Sequence, residues 1–160
     1  MDVVRSPWRS AYVTGGVKEA GCVLCSALAK APADDSLVVH KAGLNFIVMN
    51  LYPYNAGHVM VAPLRHVGTL SDATADELAE MMALARRLEG VLGEAYRPEG
   101  LNIGMNLGRS AGAGVLGHVH LHVVPRWGGD TNFMTVTGDT RVIPEDPVEA
   151  CRRLRPYFAR

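Results

Sequence analysis

The stretch Gly117-His118-Val119-His120-Leu121-His122-Val123-Val124-Pro125-Arg126-Trp127 (GHVHLHVVPRW) carries three of the chain's six histidines, at every second position. Successive side chains of a strand point to opposite faces. His118, His120 and His122 therefore share one face, and Val119, Leu121 and Val123 share the other. Same-face neighbours lie about 6.6 Å apart at a rise of about 3.3 Å per residue, so all three rings can line one pocket. The apolar face is expected to be buried against a helix. Three readings remain: a half-solvated strand that carries histidine, a metal site built from all three rings, and nucleophilic catalysis by one ring oriented by its neighbours. Three in register speaks against the first, and the spacing alone does not choose between the other two.

Upstream, Leu37–His40 and Leu44–Met49 are β-rich runs separated by Lys41-Ala42-Gly43, a hairpin pattern. Residues 50–57 (NLYPYNAG) are turn chemistry, and His58–Ala62 is a further strand stopped by Pro63. Thr74-x-x-Glu77 is a capping box. Leu78, Met81, Met82, Ala85, Leu88, Val91 and Leu92 then recur at helical spacing, which predicts a helix over about 75–95. Leu101–Leu107 alternates as a strand does. Gly108, Gly112, Gly114 and Gly117 form a glycine-rich connection whose backbone N–H groups can approach an anion. At the ends, residues 1–20 read as a surface arm, and Cys22–Ala31 as a short helix stopped by Pro32. Phe133–Val136 and Val142–Ile143 read as short β pieces, and Pro147 opens an amphipathic helix. Strands, a long helix and strands again indicate an α+β domain on an antiparallel sheet.

The chain has 160 residues, 48% apolar and 20% charged, with 16 basic and 16 acidic side chains. That length suits a single domain. A net charge of zero gives no nucleic-acid footprint and no polybasic membrane patch, so an anionic ligand needs a local site. No apolar run approaches the roughly 20 residues of a membrane span, and the first residues lack a secretory pattern. Three cysteines, Cys22, Cys25 and Cys151, are a poor disulfide framework and point to a reducing, cytoplasmic setting. Cys22-Val23-Leu24-Cys25 by itself reads as a metal pair, a redox pair or two buried thiols.

His118-Val119-His120-Leu121-His122-Val123-Val124 resembles the signature of the histidine triad (HIT) family, and Pro53 to Pro63 (PYNAGHVMVAP) resembles that family's second motif. The likeness covers about residues 35–128. Asn50-Leu51-Tyr52-Pro53-Tyr54-Asn55, Asn106-Leu107-Gly108 and Trp127-Gly128-Gly129-Asp130-Thr131-Asn132-Phe133 resemble the diadenosine tetraphosphate phosphorylase-like branch. The resemblance implies a single HIT domain over 1–160, with an arm at 1–33, a core at 34–128 and a C-terminal extension at 129–160. Its fold would be a five-stranded antiparallel sheet with one long helix and a C-terminal helix.

The resemblance also implies roles. His120 would attack the α-phosphorus of a nucleotide and form a nucleotidyl-histidine, which water or phosphate resolves. A backbone carbonyl near His118 would fix its tautomer. His122 and His58 would stabilise phosphate oxygens and assist the leaving group. Asn50 matches a ribose contact and Asn106 a residue near the phosphates. Many relatives have a glutamine four residues before the triad; here Gly114 stands there, and Ser110 is the candidate replacement. Cys22, Cys25, His66 and His118 match a structural Zn²⁺ set. The implied partners are a small nucleotide substrate and a second copy of the chain in a homodimer with a ten-stranded sheet. The long helix, through Met81, Met82 and Leu84, is a candidate interface, and Trp127 and Phe133 are candidates to stack on a base or support the dimer. A nucleotide-binding regulatory module with little turnover is the competing reading.

Overall fold

The computed structural model describes residues 21–31, 33, 35–130 and 145–159. Five strands, β1 (Val38–Lys41), β2 (Asn45–Met49), β3 (Val59–Pro63), β4 (Gly100–Gly104) and β5 (Leu121–Arg126), form one antiparallel sheet in the order β1-β2-β3-β5-β4. Helix α1 (Val23–Lys30) precedes the sheet, α2 (Ala75–Tyr96) joins β3 to β4, and α3 (Pro147–Leu154) follows β5. The expected elements at 1–20, 133–136 and 142–143, and residue Phe133, lie outside the described residues.

Both faces of the sheet centre are covered, so every residue of β2 and β3 is buried. On one face, Ile47, Val59, Val61, Leu121 and Val123 pack with Met81, Leu84, Ala85, Leu88 and Leu92 of α2, and with Ala150, Cys151 and Leu154 of α3. On the other face, Leu24 of α1 packs with Val38, Phe46, Val48, Met60 and Ala62. The histidines occupy the rest of this second face. The apolar side of the histidine run is thus spent on α2, as its alternation requires. Met81 and Leu84 are core residues and not an outer interface; of the three, Met82 is the exposed one.

The capping box on α2 is present: Thr74 Oγ1 accepts from Glu77 N–H at 3.2 Å, and Glu77 Oε2 accepts from Thr74 N–H at 2.7 Å. Arg65 adds two 2.7 Å bonds to the same carboxylate. The Arg65 guanidinium and the Thr74 N–H hold Glu77 down at about 2. This fork ties the chain just before His66 to the start of α2. Asp146 caps α3 through Val148 and Glu149 N–H, with Pro147 at its first turn.

Two strands are shorter than expected. β4 ends at Gly104, so Met105–Leu107 is not strand. β5 begins at Leu121, so His122 is its only histidine. The β3–β5 ladder pairs Val59 with Val123, Met60 with His122 and Val61 with Leu121. Continued by two steps it would set Val119 against Pro63, which has no N–H to give. Val119 N–H instead donates to Val67 O at 2.7 Å, and the run 118–120 peels toward the chain after β3.

Candidate active site and metal cluster

His58 is delivered by the turn before β3. Gly57 sits at φ +70, and a Cβ there would meet the Tyr96 ring at 3.0 Å and Pro125 at 3.2 Å, so the turn packs tightly on the end of β5. Tyr54 N–H donates to His58 Nδ1 at 3.0 Å. A backbone N–H can only donate, so His58 Nδ1 is the acceptor and its neutral ring carries the proton on Nε2. That Nε2–H reaches His122 Nδ1 at 3.0 Å. His122 Nδ1 then also accepts, which leaves the His122 proton on Nε2. One backbone amide thereby sets two tautomers in series. The Tyr54 ring covers both, 4.7 Å from His58 and 5.8 Å from His122 between centroids.

His120 is oriented independently. Its Nδ1–H donates to His118 O at 2.8 Å, so Nε2 holds the lone pair of the neutral ring. Its ring stands edge-on to His122 at 4.8 Å. His58, His118, His120 and His122 are all buried, which rules out the half-solvated strand.

Burial lowers His58 to about 3, and the charges of His122 and His120 add to the shift. Burial, then His120, lowers His122 to about 4. Both rings are neutral when folded but titrate near 6.5 when unfolded. The unfolded chain therefore binds more protons below that pH. The stability these rings contribute is full above 6.5 and is lost as pH falls toward 4 and 3. Each costs about 1.4 kcal/mol per pH unit across that window. Urea melts at pH 7, 6 and 5 should show this decline, and His58→Gln should make it shallower by one proton.

The second cluster uses His118 again. Ligand atoms of Cys22, Cys25, His66 and His118 all lie within 4.8 Å of one another. Cys22 Sγ is 3.4 Å from His118 Nδ1, Cys25 Sγ 3.4 Å from His66 Nδ1, and Cys25 Sγ 3.6 Å from His118 Nδ1. A tetrahedral zinc with bonds of about 2.3 Å to sulfur and about 2.05 Å to nitrogen has S···N edges of about 3.6 Å, so the four residues fit such an ion. His118 Nε2–H donates to Pro63 O at 2.8 Å, which turns the Nδ1 lone pair toward the sulfurs. Gly117 leaves room for this: a Cβ there would lie 3.2 Å from His66 Nε2. His118 thus faces the cysteines with its ring and His120 with its carbonyl.

A groove of about 480 Å3 opens beside His122, lined by Tyr54, Asn55, Asn102, Gly104, Asn106, Val124, Arg126 and Asp130 among others. Asn106 is therefore at the site. Asn50 is folded back on its turn: Oδ1 accepts from Tyr52 N–H at 2.9 Å, and Nδ2 lies 3.4 Å from His58 Nδ1. Ser110 is exposed on the short 3₁₀ turn Arg109–Ala111, with no hydrogen bond to a histidine among the described residues. Trp127 lies apart from this groove, in a second hollow with Tyr96, Glu145 and Arg153. Sequence reasoning missed Tyr54 as the tautomer-setting residue. It also missed the clamp in which Asp130 takes two bonds from Arg126 and one from Asn55. Arg126 and Asp130 bracket a Gly-Gly turn, which was the available signal.

Comparison with known proteins matches this architecture. The family model for the HIT domain matches residues 31–129. The chain is 47% identical over 127 residues, 79% of its length, to a protein of Mycobacterium tuberculosis named AP-4-A phosphorylase, and it spans 65% of that protein. It is 36% identical over 83 residues, 52% of its length, to the bis(5'-adenosyl)-triphosphatase of Dictyostelium discoideum, and it spans 55% of that protein. A Zn-bound histidine triad family protein from Mycobacterium smegmatis superposes with a TM-score of 0.68 at 31% identity, covering 87% of this chain and 94% of that one. The chain thus spans less than two thirds of the first of these relatives. On these matches the chain belongs to the histidine triad family.

Proposed function

We propose that this protein is an enzyme that cleaves the α-phosphate linkage of dinucleoside polyphosphates, such as diadenosine tetraphosphate, or of AMP esters, through a nucleotidyl-histidine. The observation that carries the reading is the 2.8 Å bond from His120 Nδ1–H to His118 O, which leaves Nε2 as the nucleophile. In the first step His120 Nε2 bonds to the α-phosphorus. The bond from phosphorus to the leaving oxygen breaks, and that oxygen keeps the electron pair. The ring becomes an imidazolium, and His118 O faces its remaining N–H. His122 Nε2–H supplies a neutral donor for the phosphate oxygens, held in that tautomer by His58. In the second step an acceptor oxygen attacks, the phosphorus–nitrogen bond breaks, and His120 is restored. Water as acceptor gives AMP, and phosphate gives ADP. Asn106 lines the same groove and is assigned to the phosphates, Asn50 to the ribose, and Ser110 to the nucleotide contacts that a glutamine makes in many relatives.

The test is a product assay with diadenosine tetraphosphate, with and without phosphate. ADP formed only with phosphate identifies a phosphorylase, the activity named for the Mycobacterium tuberculosis relative. AMP plus ATP without phosphate identifies a hydrolase. Binding with no product in either arm overturns the enzymatic reading in favour of a nucleotide-binding module.

Cys22, Cys25, His66 and His118 are read as a structural zinc site, supported by the tetrahedral fit and by the Zn-bound relative. The ion would supply a closed cross-link between α1 and the segment that orients His120. None of Cys22, Cys25 and Cys151 forms a disulfide, which fits a reducing, cytoplasmic setting. Among the described residues no helix is long and apolar enough to cross a membrane. A homodimer is read through β4, which forms one edge of the sheet and exposes Ile103. Pairing there would give a continuous ten-stranded sheet. Light scattering should give twice the chain mass, and a monomer at micromolar concentration would contradict it.

A further inference from the structure

The tautomers of His58 and His122 hang on a single amide, Tyr54 N–H, in the turn before β3. Connecting segments move more than the elements they join, and Tyr54 is itself exposed. A turn amide needs an anchor to hold a ring in one tautomer. The next residue supplies it. Asn55 Nδ2 donates to Pro125 O of β5 at 3.0 Å and to Asp130 Oδ2 at 2.7 Å. An amide nitrogen has two hydrogens, one for each of these acceptors. The opposite orientation would set the amide oxygen against a carbonyl and a carboxylate. Asn55 O closes the same turn by accepting from His58 N–H at 3.3 Å. Consecutive Cα atoms stand about 3.8 Å apart, so fixing Asn55 on β5 leaves Tyr54 N–H little room to leave His58.

Asp130 is held in turn by the end of β5. Arg126 donates to it through Nε at 2.6 Å and Nη2 at 2.9 Å, and Trp127 N–H reaches Oδ2 at 3.3 Å. The Arg126 guanidinium, with Asn55 Nδ2–H and Trp127 N–H, holds the Asp130 carboxyl well below the usual carboxylate range. Its bond to Asn55 is therefore charge-assisted, and stronger than one between neutral groups. Pro125, Arg126 and His122 belong to one strand. The turn that carries Tyr54 is thus referenced to the strand that carries His122. His120 takes its orientation elsewhere, from His118 O.

We propose that Asn55 is a positioning residue: oriented by Asp130 and anchored on Pro125 O, it keeps Tyr54 N–H on His58 Nδ1 and so sets the tautomers of both His58 and His122. Its effect on turnover rests on the catalytic reading above; its effect on the tautomers does not. The test is nitrogen-15 NMR at neutral pH of protein labelled in its histidine rings, for the parent chain and for Asn55→Ala. In the parent, Nδ1 of His58 and of His122 should each give the signal of a bare nitrogen, and Nε2 that of an N–H. In Asn55→Ala both rings should move toward the average of two tautomers, while His120 keeps its proton on Nδ1. Asp130→Asn preserves side-chain size and removes the charge, so it should move the same two rings by less. It also covers the case in which Asn55→Ala does not fold. For diadenosine tetraphosphate, kcat should fall about tenfold in Asn55→Ala with KM within about threefold. That loss is smaller than the ~10²–10⁴ of removing an acid–base group, because the His122 donor remains. In a His58→Ala background the same substitution should cost less than about twofold, since the series of bonds is already cut. His58 and His122 signals unmoved in both variants would make the clamp irrelevant to the rings and overturn the proposal. His120 moving with them would make it a general support of the fold and overturn it as well, as would a further tenfold loss in the His58→Ala background. Parent protein with the expected ring signals and no turnover would sink the catalytic reading alone.

Discussion

His120→Ala should lose at least about four orders of magnitude in turnover of diadenosine tetraphosphate while AMP affinity changes no more than a few-fold. The asymmetry follows from what the ring does. His120 provides the atom that bonds phosphorus, and no neighbour can replace it. His58 Nε2 is committed to His122, and His122 Nδ1 accepts that bond. His118 turns its Nδ1 to the cysteines and its Nε2–H to Pro63 O. Of these four buried rings, His120 is the one left with an uncommitted lone pair, on Nε2. Ground-state binding of AMP also rests on the Nε2–H donor of His122 and on the residues assigned to the ribose and phosphates, so AMP should still bind. The variant is expected to fold, because its neighbours are tied by their own bonds. Stopped assays for ADP and ATP, together with calorimetric titration of AMP, check both halves. Equal loss of binding and turnover would mean that His120 is a binding residue.

Removal of the metal set should be the largest effect on stability. Metal analysis should find one zinc per chain, and Cys25→Ser should lose it. A ligand present at about a thousandfold over its Kd stabilises by about 4 kcal/mol, so the melting temperature should fall by about 10 °C. Cys25 is half-buried on a short helix, and the sheet has its own core on α2, so partial rather than complete unfolding is expected. Activity should fall too, by about tenfold, because His118 bears both a proposed metal ligand and the carbonyl that orients His120. A structural ion does not act on phosphorus, so this loss should be far smaller than for His120→Ala. Chelation that abolishes turnover with the melting temperature unchanged would contradict the structural assignment and favour metal chemistry.

The parts of this molecule legible in the sequence are those set by local periodicity and local capping. Leu121 and Val123 announced a face buried on a helix, and Thr74 with Glu77 announced where that helix starts. The strand boundaries were less legible because they depend on a partner. The ladder at His118–His120 fails at Pro63, which is distant in sequence and recognisable only once the register is known. Met81 and Leu84 sit at helical spacing with Met82, yet only the packed structure separates core from exterior. At the site, the grouping of Cys22, Cys25, His66 and His118 was legible through resemblance, and the structure brings their ligand atoms together. The tautomer series was not legible, because its first donor is the backbone of Tyr54 and no residue type encodes it. The Asn55–Asp130 contact spans 75 residues and joins two turns, so no local pattern carried it.

The central claim is that the nucleotide passes through His120, and rapid trapping of the intermediate tests it most directly. Diadenosine tetraphosphate labelled in its α-phosphate and adenosine would be mixed with the protein and quenched in alkali, which preserves a phosphorus–nitrogen bond. The label should be found as one AMP on the peptide that contains His120, stable to base and lost in acid, and absent from His120→Ala. Turnover with no labelled protein at any time, or the same label on the His120→Ala chain, would contradict it.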